Sequence, residues 1–316
     1  MNVLVTGGAG FIGSHIVDRL LSQGYFVFVI DNFDNYYSQE IKANNIRHNQ
    51  DKKNFKLIRG DIRNSDLLRE TLKDMDIVFH VAARPGVRGR LQDSRIYHEF
   101  NVTGTLCLLN ECLNSNIKKV IFSSSSSVYG ESKYLPIDEK HPLNPISFYG
   151  ATKLAGEKYC RIFSEIYGLP IIVLRYFTVF GPRQRPDEAI CKFTRLILRG
   201  ERVEIYGNGE QTRDFTYIDD VVVGNMLAFN SETKWGTFNI GGGQRLSINE
   251  LLKLLNEACG TNVMPVYCPK TIGDVSNTWA NVDEAQRILG YVPKVDVRTG
   301  IKKYVEWAIN QVGSGS

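Results

Sequence analysis

Tyr149 and Lys153 lie four residues apart in Ser147-Phe148-Tyr149-Gly150-Ala151-Thr152-Lys153. On a helix that spacing puts both side chains on one face. A phenol ordinarily ionises near pH ~10, and a neighbouring ammonium favours the phenolate. The pair is therefore a route to a general base near neutral pH. Taken alone, the same spacing describes a Tyr at the edge of the core beside a surface Lys. A second group of residues decides between the two. Thr6-Gly7-Gly8-Ala9-Gly10-Phe11-Ile12-Gly13 places Gly7, Gly10 and Gly13 at three-residue intervals. It follows an apolar run at 3–5 and opens a helical period at 11–21. Glycines in that context let the backbone approach a pyrophosphate, and the helix start supplies free N–H groups and a positive dipole end. Asp31, eighteen residues after Gly13, closes the next apolar run. A carboxylate there accepts from ribose hydroxyls and repels a 2′-phosphate, favouring NAD over NADP.

These residues need elements to hold them. Apolar runs at 3–5, 26–30, 55–58, 77–79, 120–122 and 171–174 read as buried strands alternating with helical stretches. That rhythm predicts an α/β fold, a doubly wound parallel sheet of the Rossmann type. After Tyr176 the rhythm breaks at Gly181-Pro182, Arg185-Pro186 and Gly207-Asn208-Gly209, and helices are expected at 248–258, 283–289 and 298–310. Residues 1–176 are read as the dinucleotide-binding domain, with later segments returning to it. Residues 177–312 are read as a smaller, mainly substrate-binding domain over the carboxyl edge of the sheet. Residues 313–316, Gly-Ser-Gly-Ser, read as an appended tail.

Composition is that of an ordinary soluble globular chain: 316 residues, 43% hydrophobic, 23% charged, net charge +4. Arg84, Arg88 and Arg90 form a basic cluster too small for a nucleic-acid footprint; one small anion or a solvated loop both suit it. Six cysteines without Cys-x-x-Cys spacing and five scattered histidines predict neither a metal site nor a disulfide framework. No apolar run approaches the ~20 residues of a membrane span, and no leader pattern opens the chain. A cytoplasmic protein without membrane or nucleic-acid partners is expected.

The glycine turn, Asp31, the serines at 123–127 and the Tyr149–Lys153 pair together resemble the extended short-chain dehydrogenase/reductase family. So do Ala82-Ala83, Asn101, Val128-Tyr129-Gly130, Leu174-Arg175-Tyr176-Phe177 and Arg213-Asp214-Phe215-Thr216-Tyr217. Within that family the chain looks like the UDP-sugar 4-epimerases. The resemblance implies a tightly held NAD contacted by Gly7, Gly10, Phe11, Ile12, Gly13, Asp31, Asn32, Asp61, Ile62, Ala82, Ala83, Asn101, Ser123, Tyr149, Lys153 and Tyr176. For Asp61 alone, an exposed loop acid is the competing reading. It also implies that Tyr149 takes the proton of the sugar 4-hydroxyl, that Lys153 supports the phenolate, and that Ser125 aligns the oxygen. Ser124 and Ser126 rival Ser125 in the five-serine run. A homodimer is expected from the family alone.

The resemblance extends to the substrate, which it implies is a UDP-sugar. Arg213 matches the family's diphosphate-binding Arg and Asp274 its uridine-ribose acid. Thr271 stands where a second phosphate-binding Arg is usual, and Lys270 is a candidate replacement. Arg88 and Tyr206 are further candidate substrate contacts. Thr178, Arg185, Ser126 and Ser127 resemble the set that holds the carboxylate in UDP-glucuronate 4-epimerases, and Arg suits a carboxylate by its bidentate geometry. A surface Arg after a Gly-Pro turn is the competing reading of Arg185. Thr278 stands where glucose-only epimerases carry a bulky Tyr, so a 2-N-acetyl group also has room. UDP-glucuronate leads, UDP-N-acetylglucosamine follows, and UDP-glucose is third. The alternatives are a UDP-glucuronate decarboxylase and a non-catalytic NAD-binding regulator on the same fold. Dehydration is disfavoured because Ser126-Ser127 stands where dehydratases carry an Asp-Glu pair.

Overall fold

The structure is a computed structural model and describes residues 1–87, 89, 91–270 and 274–313. Arg88, Arg90 and Thr271 lie outside the described residues. Six strands form at the apolar runs: β1 Asn2–Thr6, β2 Phe26–Asp31, β3 Phe55–Arg59, β4 Ile77–His80, β5 Lys119–Ser125 and β6 Ile171–Tyr176. They lie in the order β3-β2-β1-β4-β5-β6, each neighbour parallel. This is the doubly wound order, whose switch point falls between β1 and β4. The remaining strands are β7 Thr178–Phe180, β8 Val203–Tyr206, β9 Thr212–Tyr217, β10 Trp235–Ile240, β11 Arg245–Ser247 and β12 Pro265–Cys268. The helices are α1 Phe11–Ser22, α2 Gln39–Ile46, α3 Ser65–Leu72, α4 Ser94–His98, α5 Gly104–Leu113 and α6 Phe148–Glu165. They continue with α7 Ala189–Leu198, α8 Ile218–Asn230, α9 Ile248–Cys259, α10 Asp283–Leu289 and α11 Val297–Gly313.

The sheet is apolar on both faces because both are covered. Val3 and Val5 face a cluster with Ile16 and Val17 of α1 and Val221 of α8. Leu4, one residue out of phase, faces Leu68 of α3, Leu108 of α5 and Phe163 of α6. Burying each such side chain contributes about 1.5–3 kcal/mol. β10 pairs in parallel with β6 and makes a seventh strand. Residues 218–240 thus return to the sheet, and β10 covers what would be an exposed β6 edge. The other late strands form two small sheets, β11-β9-β7 and β12-β8.

Helix α6 carries the Tyr149–Lys153 pair, and its position is over-determined. Ser147 caps it, its Oγ accepting from the Gly150 N–H at 3.1 Å. One turn beyond Lys153, Glu157 meets Arg175 of β6 in a pair only 6% and 5% exposed, Oε2 to Nη2 at 2.6 Å and Oε1 to Nε at 2.9 Å. Ser124 of β5 donates to the same carboxylate. Arg175 Nη1 donates to the Tyr129 hydroxyl at 2.9 Å, which donates to Asn239 Oδ1 of β10 at 2.7 Å. The network ties α6 to three strands. Removing one partner of a buried ion pair leaves a charge with no compensation, at a cost of about 3–5 kcal/mol. Glu157→Ala should lower unfolding stability by about that amount in a denaturant titration. A loss indistinguishable from that of a surface substitution would contradict this role.

Candidate active site

A cavity of about 690 Å³ opens at the carboxyl ends of β1, β2, β4, β5 and β6. Its far wall comes from β8, β9 and residues 274–278. At one end lies the glycine turn. Gly7 has φ +70°, and a Cβ there would sit 2.8 Å from the Ala82 backbone. A Cβ on Gly13 would sit 2.2 Å from the Gly7 carbonyl oxygen. Gly10 is the N-cap of α1 and no side chain caps that helix start. Gly10, Phe11, Ile12 and Gly13 line the cavity, so the helix start faces open space. A tight glycine cradle and an uncapped helix start fit the pyrophosphate of a dinucleotide.

Asp31 is 6% exposed at the end of β2. Its Oδ1 accepts from the Phe33 N–H at 2.9 Å and its Oδ2 from the Ala9 N–H at 3.1 Å. Burial raises its pKa, while Lys42 and the two N–H groups pull the other way. The backbone bonds fix the carboxylate at the cavity wall, next to Asn32. Ile62, Ala82, Ala83, Ser123 and Tyr176 also line the cavity. Asp61 and Asn101 do not. The Asp61 carboxylate is taken up by Arg63 Nε at 2.9 Å and by Asn32 Nδ2 at 3.0 Å, which hold its pKa down against burial. Asn101, 2% exposed in the π-helical turn Glu99–Thr103, is a clamp. Its amide accepts from the Arg84 N–H at 2.7 Å and donates to Arg84 O and Thr152 Oγ1, each at 3.0 Å. It fastens the segment after β4 to α6.

Tyr149, Lys153 and the serine run meet at mid-cavity. Lys153 is 4% exposed and donates to the Ser123 carbonyl at 2.7 Å, with Nζ 5.9 Å from the Tyr149 ring centroid. Burial lowers its pKa to about 8. Tyr149 departs from the expectation. Its pKa is raised, because burial outweighs the Arg185 charge and the hydrogen bond from Ser125 that favour the phenolate. Lys153 is turned to the Ser123 carbonyl. Burial therefore works against the phenolate that a general base requires. The geometry distinguishes the serines. Ser125 lines the cavity with Tyr149, donates to Ser127 Oγ at 3.0 Å and accepts from the Ser127 N–H at 3.1 Å. Ser124 is committed to Glu157.

On the far side, Ser126, Ser127, Thr178, Arg185, Tyr206, Arg213, Asp274 and Thr278 all line the cavity. Arg213 Nη2 approaches Asp274 Oδ1 at 3.2 Å. Thr278, 6% exposed, accepts from the Asp214 N–H at 3.2 Å. Lys270 is exposed, off the cavity wall, 3.5 Å from Ser276 Oγ. Arg84 reaches the wall in an ion pair with Asp34 and lies over the Tyr36 ring. Residues not anticipated are Tyr36, Asp187 and Glu188. Tyr36 donates to Asp187 Oδ2 at 3.0 Å, and both acids pair with Arg185. Counting the charges immediately after Arg185 would have found the acids; nothing local marks Tyr36. Among the described residues no cluster of His, Cys, Asp or Glu could hold a metal ion, and no helix is long and apolar enough to cross a membrane.

Asp31 yields a direct test of the cradle. A hydrogen bond to a charged acceptor contributes about 1.5–3 kcal/mol, so Asp31→Asn should weaken NAD at least ~10-fold in a titration of cofactor-stripped protein. Discrimination against NADP should narrow as well. Unchanged NAD affinity would remove Asp31 from the ribose site.

Comparison with known proteins agrees with this geometry. Residues 3–241 match the model of the NAD dependent epimerase/dehydratase family. The UDP-glucuronic acid 4-epimerase of Bacillus cereus, solved with UDP-glucuronic acid and NAD, is 38% identical with a TM-score of 0.94, covering 99% of this chain and 100% of that one. The UDP-glucose 4-epimerase of Thermotoga maritima, solved with UDP-glucose, is 38% identical with a TM-score of 0.92 and the same coverage. The UDP-N-acetylglucosamine 4-epimerase of Methanobrevibacter ruminantium M1, in complex with UDP-N-acetylmuramic acid, is 37% identical with a TM-score of 0.91 over 98% of each chain. The matched span includes the glycine cradle, the serine run and the α6 pair, and the chain belongs to the NAD-dependent epimerase/dehydratase family of enzymes.

Proposed function

We propose that the chain is an NAD-dependent UDP-sugar 4-epimerase that inverts C4 through a transient 4-keto sugar. One observation carries the reading. Ser125, Tyr149 and Lys153 stand in the same cavity as the glycine cradle at one end and Arg213 with Asp274 at the other. A group that can take a proton therefore stands between a dinucleotide site and a site for a second nucleotide. Residues 1–176 with 218–240 hold the cofactor, and the remainder holds most of the UDP-sugar. NAD, when bound, supplies the hydride acceptor and donor for C4.

The chain's own residues do the rest. Arg213 holds the diphosphate and Asp274 the uridine ribose. Ser125, on the same cavity wall as Tyr149, orients the 4-hydroxyl toward it. Tyr149 takes the hydroxyl proton as the C4 hydrogen leaves and returns it after the sugar presents its other face, so nothing is gained or lost overall. Lys153 remains cationic below pH of about 8 and supports the phenolate by charge. Ser126 and Ser127 at the cavity wall leave no carboxylic acid at those two positions to drive dehydration.

The three solved neighbours carry different sugars at nearly the same identity, 37–38%. Similarity therefore speaks for the reaction more than for the sugar. The test is to incubate the purified protein separately with UDP-glucuronate, UDP-N-acetylglucosamine and UDP-glucose and to resolve the products. At least one should give its C4 epimer. A UDP-pentose with CO₂ from UDP-glucuronate would mean decarboxylation instead, and no product from any of the three would end the epimerase reading.

A further inference from the structure

Arg185 reaches the sugar end of the cavity already paired. Its Nε and Nη2 lie 3.0 and 3.2 Å from the two oxygens of Asp187, a bidentate contact, and its Nη1 lies 2.8 Å from Glu188 Oε1. All three residues line the cavity, with side chains only 20%, 39% and 23% exposed. The arrangement is braced from outside. Tyr36 donates to the second Asp187 oxygen at 3.0 Å, and Gln184 Nε2 donates to Glu188 Oε2 at 2.6 Å. Glu188 also immediately precedes α7, where a helix start favours the anion. One guanidinium thus faces two carboxylates, so the trio is formally negative with both acids ionised; burial raises the Glu188 pKa and Arg185 opposes that rise.

A guanidinium has five N–H donors. Two donate to Asp187 and Nη1 pairs with Glu188, which leaves part of the fork for a ligand. The remaining N–H donors beside two carboxylates suit a neutral acceptor, such as a hydroxyl or an amide carbonyl. A third carboxylate in the same partly dehydrated pocket would be repelled by Asp187 and Glu188. We propose that Glu188, by sharing Arg185 with Asp187, sets the sugar specificity, so that the site prefers neutral UDP-hexoses and UDP-N-acetylhexosamines to UDP-uronates. The proposal rests on the epimerase reading. Thr278 at the cavity wall is consistent with the amide form. Glu188 is a specificity-determining residue; it abstracts no proton in this account.

The test compares kcat/KM for UDP-N-acetylglucosamine and UDP-glucuronate in the NAD-loaded wild type, Glu188→Gln and Glu188→Asp. The wild type should favour UDP-N-acetylglucosamine. Glu188→Gln keeps the shape but removes a charge, and should shift the ratio toward UDP-glucuronate by roughly tenfold or more. Glu188→Asp keeps the charge and should shift it much less. A wild type that prefers UDP-glucuronate overturns the proposal while leaving the epimerase reading intact. So does a Glu188→Gln ratio equal to that of the wild type. If the NAD-loaded wild type turns over neither sugar nor UDP-glucose, the epimerase reading falls and this proposal with it.

Discussion

Everything in the site depends on how closely α6 lies against the carboxyl end of β5. Two glycines set that distance. A Cβ on Gly156 would come within 2.7 Å of the Phe122 ring, and one on Gly150 within 2.4 Å of the Ser127 carbonyl oxygen. Without those side chains the helix sinks far enough for Lys153 to reach the Ser123 carbonyl at 2.7 Å and for Tyr149 to line one cavity with Ser125. The buried Glu157–Arg175 pair then fixes the helix along its length, and its carboxylate also holds Ser124. One ion pair thus orients the base on the helix and the serine run on the strand together. Such a pair adds little net stability over an apolar substitute; its use here is positional.

Burial works against the base that it positions. It raises Tyr149 and lowers Lys153, and both shifts disfavour the charged forms that proton transfer at O4 needs. Arg185 pulls Tyr149 back toward the phenolate while Glu188 pushes it away. The same two residues that grade the sugar's charge therefore also act on the base by charge. A bound nicotinamide would add its positive charge to that of Arg185 in favour of the phenolate.

Much of this was legible in the sequence because it is local. The six strands of the doubly wound order, the glycine turn and Asp31 follow from continuous apolar runs and from glycines that a tight turn demands. The four-residue spacing of Tyr149 and Lys153 fixes their shared helix face before any tertiary contact is known. What was not legible depends on long-range pairing. Asp61 and Asn101 match a family pattern, yet one is satisfied by Arg63 and the other clamps the chain after β4. The expected lowering of Tyr149 failed because burial is a property of the whole cavity. Tyr36, 151 residues from Asp187 in sequence, could be found only by folding the chain.

The central claim is that Tyr149 moves the proton in a site where NAD is held by other residues. The most direct measurement is turnover and bound NAD, side by side, in Tyr149→Phe. Removing a single hydroxyl should cost ~10²–10⁴-fold in turnover of whichever UDP-sugar the wild type epimerises, as for other general acid–base groups. The NAD released on denaturation should match the wild type mole for mole. Turnover within a few-fold of the wild type, with NAD bound, would contradict the account.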